Sequence, residues 1–327
     1  MTDMNVFVTG GTGFIGSHLI EFLQQHFSAN IYALVRDTGN LKWLDGLDIH
    51  ASEGDLFSIP ALPRDLDIIF HLAGHTKAAK LADYYTVNGG GTASLFQALH
   101  DQGIQPKKVV YLSSFAAGGP SSGDCPRNED MPPAPVSCYG RSKLQGEKEA
   151  LRWKTRFPVG IVRVGAVYGP RDKGFFPYIR SIHKGILPLF DQKNRLLNLC
   201  YVTDLCTGLA LAGTKDYQSG EIFNIAHPDT IGWRRIGQTA GEVMNKTPRI
   251  VPIPGAAVFT AALLSELILL TTKKRSVLNL QKYREFIQDG WCADTTKAQQ
   301  VLGFSPSYDL KAGLEQTIRW YQSQHWL

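Results

Sequence analysis

The chain has 327 residues, 43% of them hydrophobic and 19% charged, enough for one large or two modest domains with a real core. Its formal charge of +5 is spread along the chain, with no basic stretch interleaved with aromatics, which argues against nucleic acid as a partner. Cysteines stand at 125, 138, 200, 206 and 292 without a C-x-x-C pair, which favours free thiols over a disulfide scaffold or a zinc site, so no metal is expected.

The N-terminus runs almost directly into a strand, with no basic n-region or signal-type apolar segment, so the expected location is cytoplasmic. Val6-Phe7-Val8 is a short apolar strand feeding Thr9-Gly10-Gly11-Thr12-Gly13-Phe14-Ile15-Gly16, and a helical pattern follows from Ser17 to Phe27. In such a turn one glycine makes the bend, one lets a diphosphate approach the backbone, and one lets helix and strand pack closely. The helix N-terminus at Phe14, Ile15 and Gly16 presents free N–H groups and a positive dipole end to the anion. Ile31 to Val35 is the second strand. NAD-preferring sites carry an acidic residue about 20 positions past the motif, on the ribose 2′-hydroxyl. This chain has Arg36, whose guanidinium suits a 2′-phosphate and can stack on adenine. NADP is therefore the preferred cofactor, and NAD the alternative should the strand end one residue later and bring Asp37 to the ribose.

Gly54-Asp55-Leu56 follows a third strand, and Asp55 either accepts from the adenine amino group or serves a solvated turn. Asp67 to Leu72 is a buried strand running into Ala73-Gly74-His75, where small residues let a cofactor lie across the strand ends. His75 and Lys77 come next and are either substrate-facing or structural. Tyr84 to His100 reads as a helix with Asn88 and Gly91-Thr92 in its early turns. Lys108 to Leu112 is another strand, ending in Ser113-Ser114, a pair that either begins a turn or holds a carbonyl oxygen. Gly118 to Pro135 is a Gly/Pro/Ser-rich loop of the kind that often covers a site.

Ser114 stands 25 residues before Tyr139, which opens Tyr139-Gly140-Arg141-Ser142-Lys143. A phenol and an ammonium four residues apart share one face of a helix. Free tyrosine titrates near 10, and bringing it to about 7 requires about 4 kcal/mol of differential stabilisation. A close Lys143 and a cationic cofactor ring are the expected sources. Val159 to Val164 is the next strand, leading to Gly165-Ala166-Val167-Tyr168-Gly169-Pro170. Strands alternating with helices to this point predict an α/β fold, a doubly wound parallel sheet with helices on both faces.

After Pro170 the rhythm breaks. Val202-Thr203-Asp204 starts another helix, Ile222 to Ile225 looks like a returning strand, and the rest is mostly helical. The expected division is a dinucleotide-binding domain of residues 1–170 plus 201–226, and a smaller, mainly helical substrate domain of 171–200 plus 227–327. Phe175, Phe176, Tyr178 and Leu187 either line the substrate pocket or belong to the core. The apolar run Ala256 to Leu270, followed by Lys273-Lys274-Arg275, is too short to span a bilayer. It is a lid helix or, as the lesser alternative, a weak membrane-surface contact through 256–275.

Together these stretches resemble the extended short-chain dehydrogenase/reductase superfamily, specifically the NAD-dependent epimerase/dehydratase family. The resemblance is carried by Thr9–Gly16, Gly54–Leu56, His71–Gly74, Val87–Thr92, Tyr111–Ser114, Tyr139–Lys143, Arg163–Pro170, Tyr201–Asp204 and Lys297–Pro306. It implies Ser114, Tyr139 and Lys143 as the catalytic triad, Asn88 as a supporting residue, and dimerisation through helices beginning near Thr92 and Ser137. It also implies cofactor contacts at Gly10, Gly13, Phe14, Ile15, Gly16, Arg36, Asp55, Leu56, Leu72, Ala73, Gly74, Tyr139 and Lys143. Two departures are visible: Val164 replaces a common proline, and the R-x-G-D stretch usual in nucleotide-sugar members is absent, Tyr283-Arg284-Glu285-Phe286 standing instead. Reductase-like and hydroxysteroid-dehydrogenase-like branches fit these departures better. The leading expectation is hydride transfer between a nicotinamide and a carbonyl or secondary alcohol of a small molecule. The alternatives are a nucleotide-sugar epimerase or dehydratase with tightly held NAD, and a non-catalytic dinucleotide sensor.

Overall fold

The computed structural model describes residues 4–78, 80–121, 125–190, 195–272 and 280–327. In chain order the first part runs β1 (Met4–Thr9), α1 (Phe14–His26), β2 (Ala29–Val35), β3 (His50–Glu53), β4 (Ile68–His71), α2 (Leu81–Tyr85), α3 (Gly91–Asp101), β5 (Lys108–Ser114), α4 (Phe115–Gly118), α5 (Cys138–Leu151) and β6 (Val159–Val164). The second part continues with β7 (Ala166–Tyr168), α6 (Phe176–His183), β8 (Ile186–Phe190), β9 (Leu196–Tyr201), α7 (Val202–Thr214), β10 (Glu221–Ile225), β11 (Thr230–Gly232), α8 (Trp233–Val243), β12 (Arg249–Ile253), α9 (Gly255–Thr272), α10 (Leu280–Phe286), β13 (Gly290–Trp291) and α11 (Leu310–Ser323).

Seven strands form one parallel sheet in the order β10-β6-β5-β4-β1-β2-β3. Ile68–His71 and Val159–Val164 are buried at every position, which is why they read as mainly apolar runs, interrupted by His71 and Arg163, rather than as alternations. Leu19, Ile20 and Leu23 of α1 join Leu205 and Leu209 of α7 on one face. Leu95, Phe96 and Leu99 of α3 and Ala150 of α5 cover the other. The direction of winding reverses between β1 and β4, so a crevice opens beyond their carboxyl ends, the usual ligand position in such sheets.

The remaining strands are short. β11, β9 and β13 form a small sheet with β7 paired to β9, and β12 pairs with β8. A third core gathers Tyr168, Phe175, Ile179, Ile236, Leu314 and Ile318. The second part is mainly helical, as expected, but its short strands β8 and β11 to β13 were not expected. Strands of two to five residues establish no period, and Pro252 further blurs β12. Ala298, Leu302 and Phe304 pack back into the cluster under α1 and α7, although their segment was assigned to the substrate domain.

The described residues of the Gly118–Pro135 loop are tied down rather than free. The Ser121 and Arg127 amides donate to Gly290 O and Cys292 O, and Glu129 Oε1 accepts from the Asn224 amide at 2.7 Å. Beneath it, between Arg127, Asn128, Arg163, Asn224 and Trp291, lies a cavity of about 10 Å³, room for a water. Among the described residues no helix is long and apolar enough to cross a membrane. The expected basic cluster Lys273-Lys274-Arg275 lies outside the described residues.

Candidate active site

The glycine turn lies at the crevice. Gly10 has φ +77°, and a Cβ there would stand 2.7 Å from Ala73 N and 2.9 Å from Leu72 C, so β1 and β4 can meet only over a bare backbone. A Cβ on Gly16 would strike Gly10 O, which fixes the helix against the turn. Gly13 is exposed and caps α1 in extended conformation without a side-chain partner. The N–H groups of Phe14, Ile15 and Gly16 in the first turn of α1 are therefore offered beside an open face. This cradle has the shape and polarity that a dinucleotide diphosphate requires.

Behind the turn a buried chain of hydrogen bonds sets the end of β4. Thr92 Oγ1 donates to Asn88 O at 2.8 Å, so it accepts from His71 Nε2 at 3.0 Å; His71 Nδ1 then accepts from Thr9 Oγ1 at 2.8 Å. Thr9 Oγ1 in turn accepts from the Ala73 amide at 3.2 Å. Burial and the nearby Lys143 push the His71 imidazole down to about 3, so it is a neutral spacer. Asn88 occupies a π-turn, Thr86–Gly90, inserted between α2 and α3. Its Oδ1 accepts from the His75 amide at 2.7 Å, and its Nδ2 donates to His75 O and, at 2.8 Å, to Ser142 Oγ. The continuous helix expected from Tyr84 to His100 is thus broken where Asn88 must turn inward, as π-turns often are at functional positions.

Ser114 ends β5 and caps α4, its Oγ accepting from the Ala116 amide at 3.2 Å. Its hydroxyl also lies near enough to the Tyr139 phenol to lower that group's pKa. Lys143 is buried; its Nζ donates to Leu112 O at 2.7 Å and lies 4.2 Å from the centre of the Tyr111 ring. A Cβ on Gly74 would stand 2.9 Å from Asn88 Oδ1 and 3.7 Å from Lys143 Nζ. The strand end that supports Gly10 therefore also touches the lysine, so glycine turn, Asn88, Ser114, Tyr139 and Lys143 converge on one crevice.

The electrostatics correct one expectation. Burial pushes the Tyr139 phenol up to about 12; the Ser114 hydrogen bond opposes this, and the Glu285 and Tyr84 charges add to it. Burial pushes the Lys143 ammonium down to about 7 against the Glu147 carboxylate. Burial thus opposes the charged form of both groups. The side chains alone do not bring Tyr139 near 7. They keep it protonated.

Several supporting residues were not singled out from the sequence. Glu147, one turn beyond Lys143 on α5, takes a bidentate grip from Arg163: Nε to Oε1 at 2.8 Å and Nη2 to Oε2 at 2.7 Å, both side chains buried. Ser113 Oγ donates to the same carboxylate at 2.5 Å. The i, i+4 spacing to Lys143 was the available signal, but its buried partner on β6 was not legible.

Arg36 is the first residue past β2 and is exposed, the register expected. Asp37 Oδ1 accepts from the Gly39 amide at 2.9 Å, which commits it to a local turn. Asp55 Oδ1 accepts from the Phe57 and Ser58 amides at 2.8 and 2.9 Å, the turn role of its two readings, and Leu56 packs under Gly91. Burial pushes the His75 imidazole down, with the Arg36 guanidinium adding to the effect, so both side chains face the same region. Lys77 is exposed, and its ammonium partly offsets the burial that raises the Asp172 carboxyl. Phe175, buried, and Phe176, partly buried, pack as the core alternative of their two readings describes. Phe175 is buried among Tyr168, Tyr178 and Trp233, and Phe176 sets its ring against Tyr321 and Trp326, so both belong to the third core. Leu187 is wholly buried, and Tyr178 donates to Trp233 O at 2.7 Å.

A family model described as NAD dependent epimerase/dehydratase family matches residues 6–226. A ceramide reductase of Caulobacter vibrioides is 29% identical over 98% of this chain and 96% of its own length. A UDP-glucose 4-epimerase of Vibrio cholerae is 25% identical over 96% and 94%. The crystal structure of UDP-glucuronic acid 4-epimerase from Bacillus cereus in complex with NAD superposes with a TM-score of 0.79 at 23% identity, covering 98% of this chain and all of that one.

Proposed function

The chain belongs to the NAD-dependent epimerase/dehydratase family and is an enzyme of the extended short-chain dehydrogenase/reductase type, and from that premise we propose that it reduces a carbonyl on a largely apolar molecule, with NADP as the preferred cofactor. The observation that carries this reading is the placement of the partly buried Tyr139 phenol beside Ser114, on the helix that brings Lys143 within reach of Gly74 and Asn88 at the strand end supporting the glycine turn. Reduction of a carbonyl needs a proton for the oxygen, and a phenol held at about 12 keeps that proton at neutral pH. The bound nicotinamide supplies the hydride. Phe14, Ile15 and Gly16 would hold the diphosphate, and Arg36 the adenosine 2′-phosphate, with Asp37 spent on its own turn. Ser114 orients the carbonyl oxygen, and Tyr139 donates its O–H proton to it. Lys143, its Nζ held by Leu112 O, would hydrogen-bond the nicotinamide ribose. Five unpaired thiols suit a reducing compartment.

The apolar character of the substrate is supported by α9. Its exposed side chains include Phe259 at 44%, Leu263 at 43%, Leu264 at 54% and Ile268 at 57%. Thr260 turns its hydroxyl back onto Ala256 O, leaving little polarity on this face. Exposed apolar patches of this kind mark surfaces that contact an apolar ligand, partner or membrane. The name of the ceramide reductase points to substrates of the same character.

The test is turnover of a panel of short- and long-chain ketones with NADPH and NADH. Tyr139→Phe should lower the rate by about 10²–10⁴ without loss of cofactor binding. Arg36→Asp should move preference toward NADH by about tenfold or more, the size of a lost charge-assisted contact. Wild-type turnover in Tyr139→Phe would end the proton-donor role. Copurified NAD with a reaction of no net redox would move the assignment to the epimerases.

A further inference from the structure

The first turn of α5, which carries Tyr139, is not held by the parallel sheet alone. Helix α10, almost 150 residues later in the chain, places Gln281 and Glu285 four residues apart and therefore on one face. Gln281 Oε1 accepts from the Cys138 amide at 2.8 Å. Glu285 Oε1 accepts from Ser137 Oγ at 2.7 Å, and Ser137 Oγ accepts from the Gly140 amide at 3.0 Å. Two of the N–H groups that any helix leaves open at its start are thus satisfied, one by α10 directly and one through a serine that α10 holds. The Glu285 carboxylate also lies at the positive end of the α5 dipole, and Lys282 Nζ meets its other oxygen at 2.8 Å.

Tyr139 lies between these two anchored amides. The groups that face it are Ser114 at the end of β5, Tyr84 of α2 and Glu285 of α10. Helix α10 in turn carries the apolar α9, with the Phe259 and Tyr283 rings 5.3 Å apart edge to face. One continuous set of contacts runs from the exposed apolar helix to the turn that holds the phenol.

We propose that Gln281 and Glu285 are positioning residues: α10 clamps the N-terminus of α5 and so fixes Tyr139, coupling the seating of α9 to the geometry of the active site. This rests on the role given to Tyr139 above, but the clamp can be tested without turnover. Cys138 is the first residue of α5, buried against Ala78 and Tyr84 with its amide held by Gln281, and serves as a reporter; Cys200 and Cys206 are buried in the core and serve as controls.

Iodoacetamide labelling of the full chain, read cysteine by cysteine by peptide mass spectrometry, is the experiment. Gln281→Ala/Glu285→Ala should raise the Cys138 rate by about tenfold or more, the loss of two hydrogen bonds, while Cys200 and Cys206 stay protected. Hydrogen exchange in the peptide spanning Ser137–Gly140 should accelerate in parallel. Glu285→Gln, whose amide oxygen still accepts from Ser137, should restore protection to near wild type. If Cys200 and Cys206 label faster as well, the double variant has lost the core, and Gln281→Ala alone must then raise Cys138. An unchanged Cys138 rate in a folded variant overturns the clamp. So does equal labelling of the Glu285→Gln and Glu285→Ala proteins.

Discussion

Lys143 shows why a motif is not yet a mechanism. Its i, i+4 relation to Tyr139 is written in the sequence, but its ionisation is set by burial, which brings it to about 7. Its value in the fold lies below that of the unfolded chain, so between pH about 7 and the ordinary lysine value near 10.5 the unfolded chain binds this proton more tightly. Burying Lys143 therefore costs most at pH 7 and below, and the cost fades as pH rises through that window. Comparison with Lys143→Met, which keeps the stem and removes the amine, isolates this group. Thermal melts should show wild type gaining stability relative to the variant from pH 7 to 10. A pH-independent difference would mean that the amine is not buried as described. Ser114 and Tyr139 were legible through their 25-residue spacing. Glu285, 146 residues beyond Tyr139, was noticed only as part of a departure from the nucleotide-sugar pattern.

At the scale of the element, the parallel strands and the glycine turn were readable because burial on both faces leaves long apolar runs, and because few sequences place glycines at 10, 13 and 16 between a strand and a helix. The join between α5 and β6 was not. Glu147 and Arg163 are buried charges, Arg163 in a strand whose other positions are apolar, and only their meeting explains them. Removing one partner strands a buried charge at a cost of about 3–5 kcal/mol, whereas replacing both with apolar groups is often near neutral. Glu147→Ala should accordingly unfold at much lower denaturant than wild type, and Glu147→Leu/Arg163→Met should recover most of the loss. If the double variant is no better than the single one, the pair contributes through its hydrogen bonds to Ser113 rather than through mutual neutralisation. The π-turn at Asn88 belongs to the same class: its residues look helical one by one, and the extra residue per turn appears only when Asn88 has His75 and Ser142 to meet.

For the whole molecule the notable feature is asymmetry. One side presents the crevice of the parallel sheet, and α9 presents an apolar surface tied through α10 to the same crevice. If α9 seats on lipid, the protein should cosediment with vesicles, and Leu263→Glu/Leu264→Glu should abolish cosedimentation without altering NADPH binding. Equal recovery of wild type and variant with vesicles would leave α9 as a lid alone.

Local sequence was enough for the α/β sheet, the dinucleotide turn and the Ser114, Tyr139 and Lys143 set, because period, glycine placement and short spacing are properties of neighbouring residues. The protonation state of Tyr139, the buried Glu147–Arg163 pair, the placement of Phe175 and Phe176 in a core and the grip of α10 on α5 were decided by the tertiary structure. Each depends on desolvation or on a partner distant in the chain, and both exist only once the chain has closed on itself.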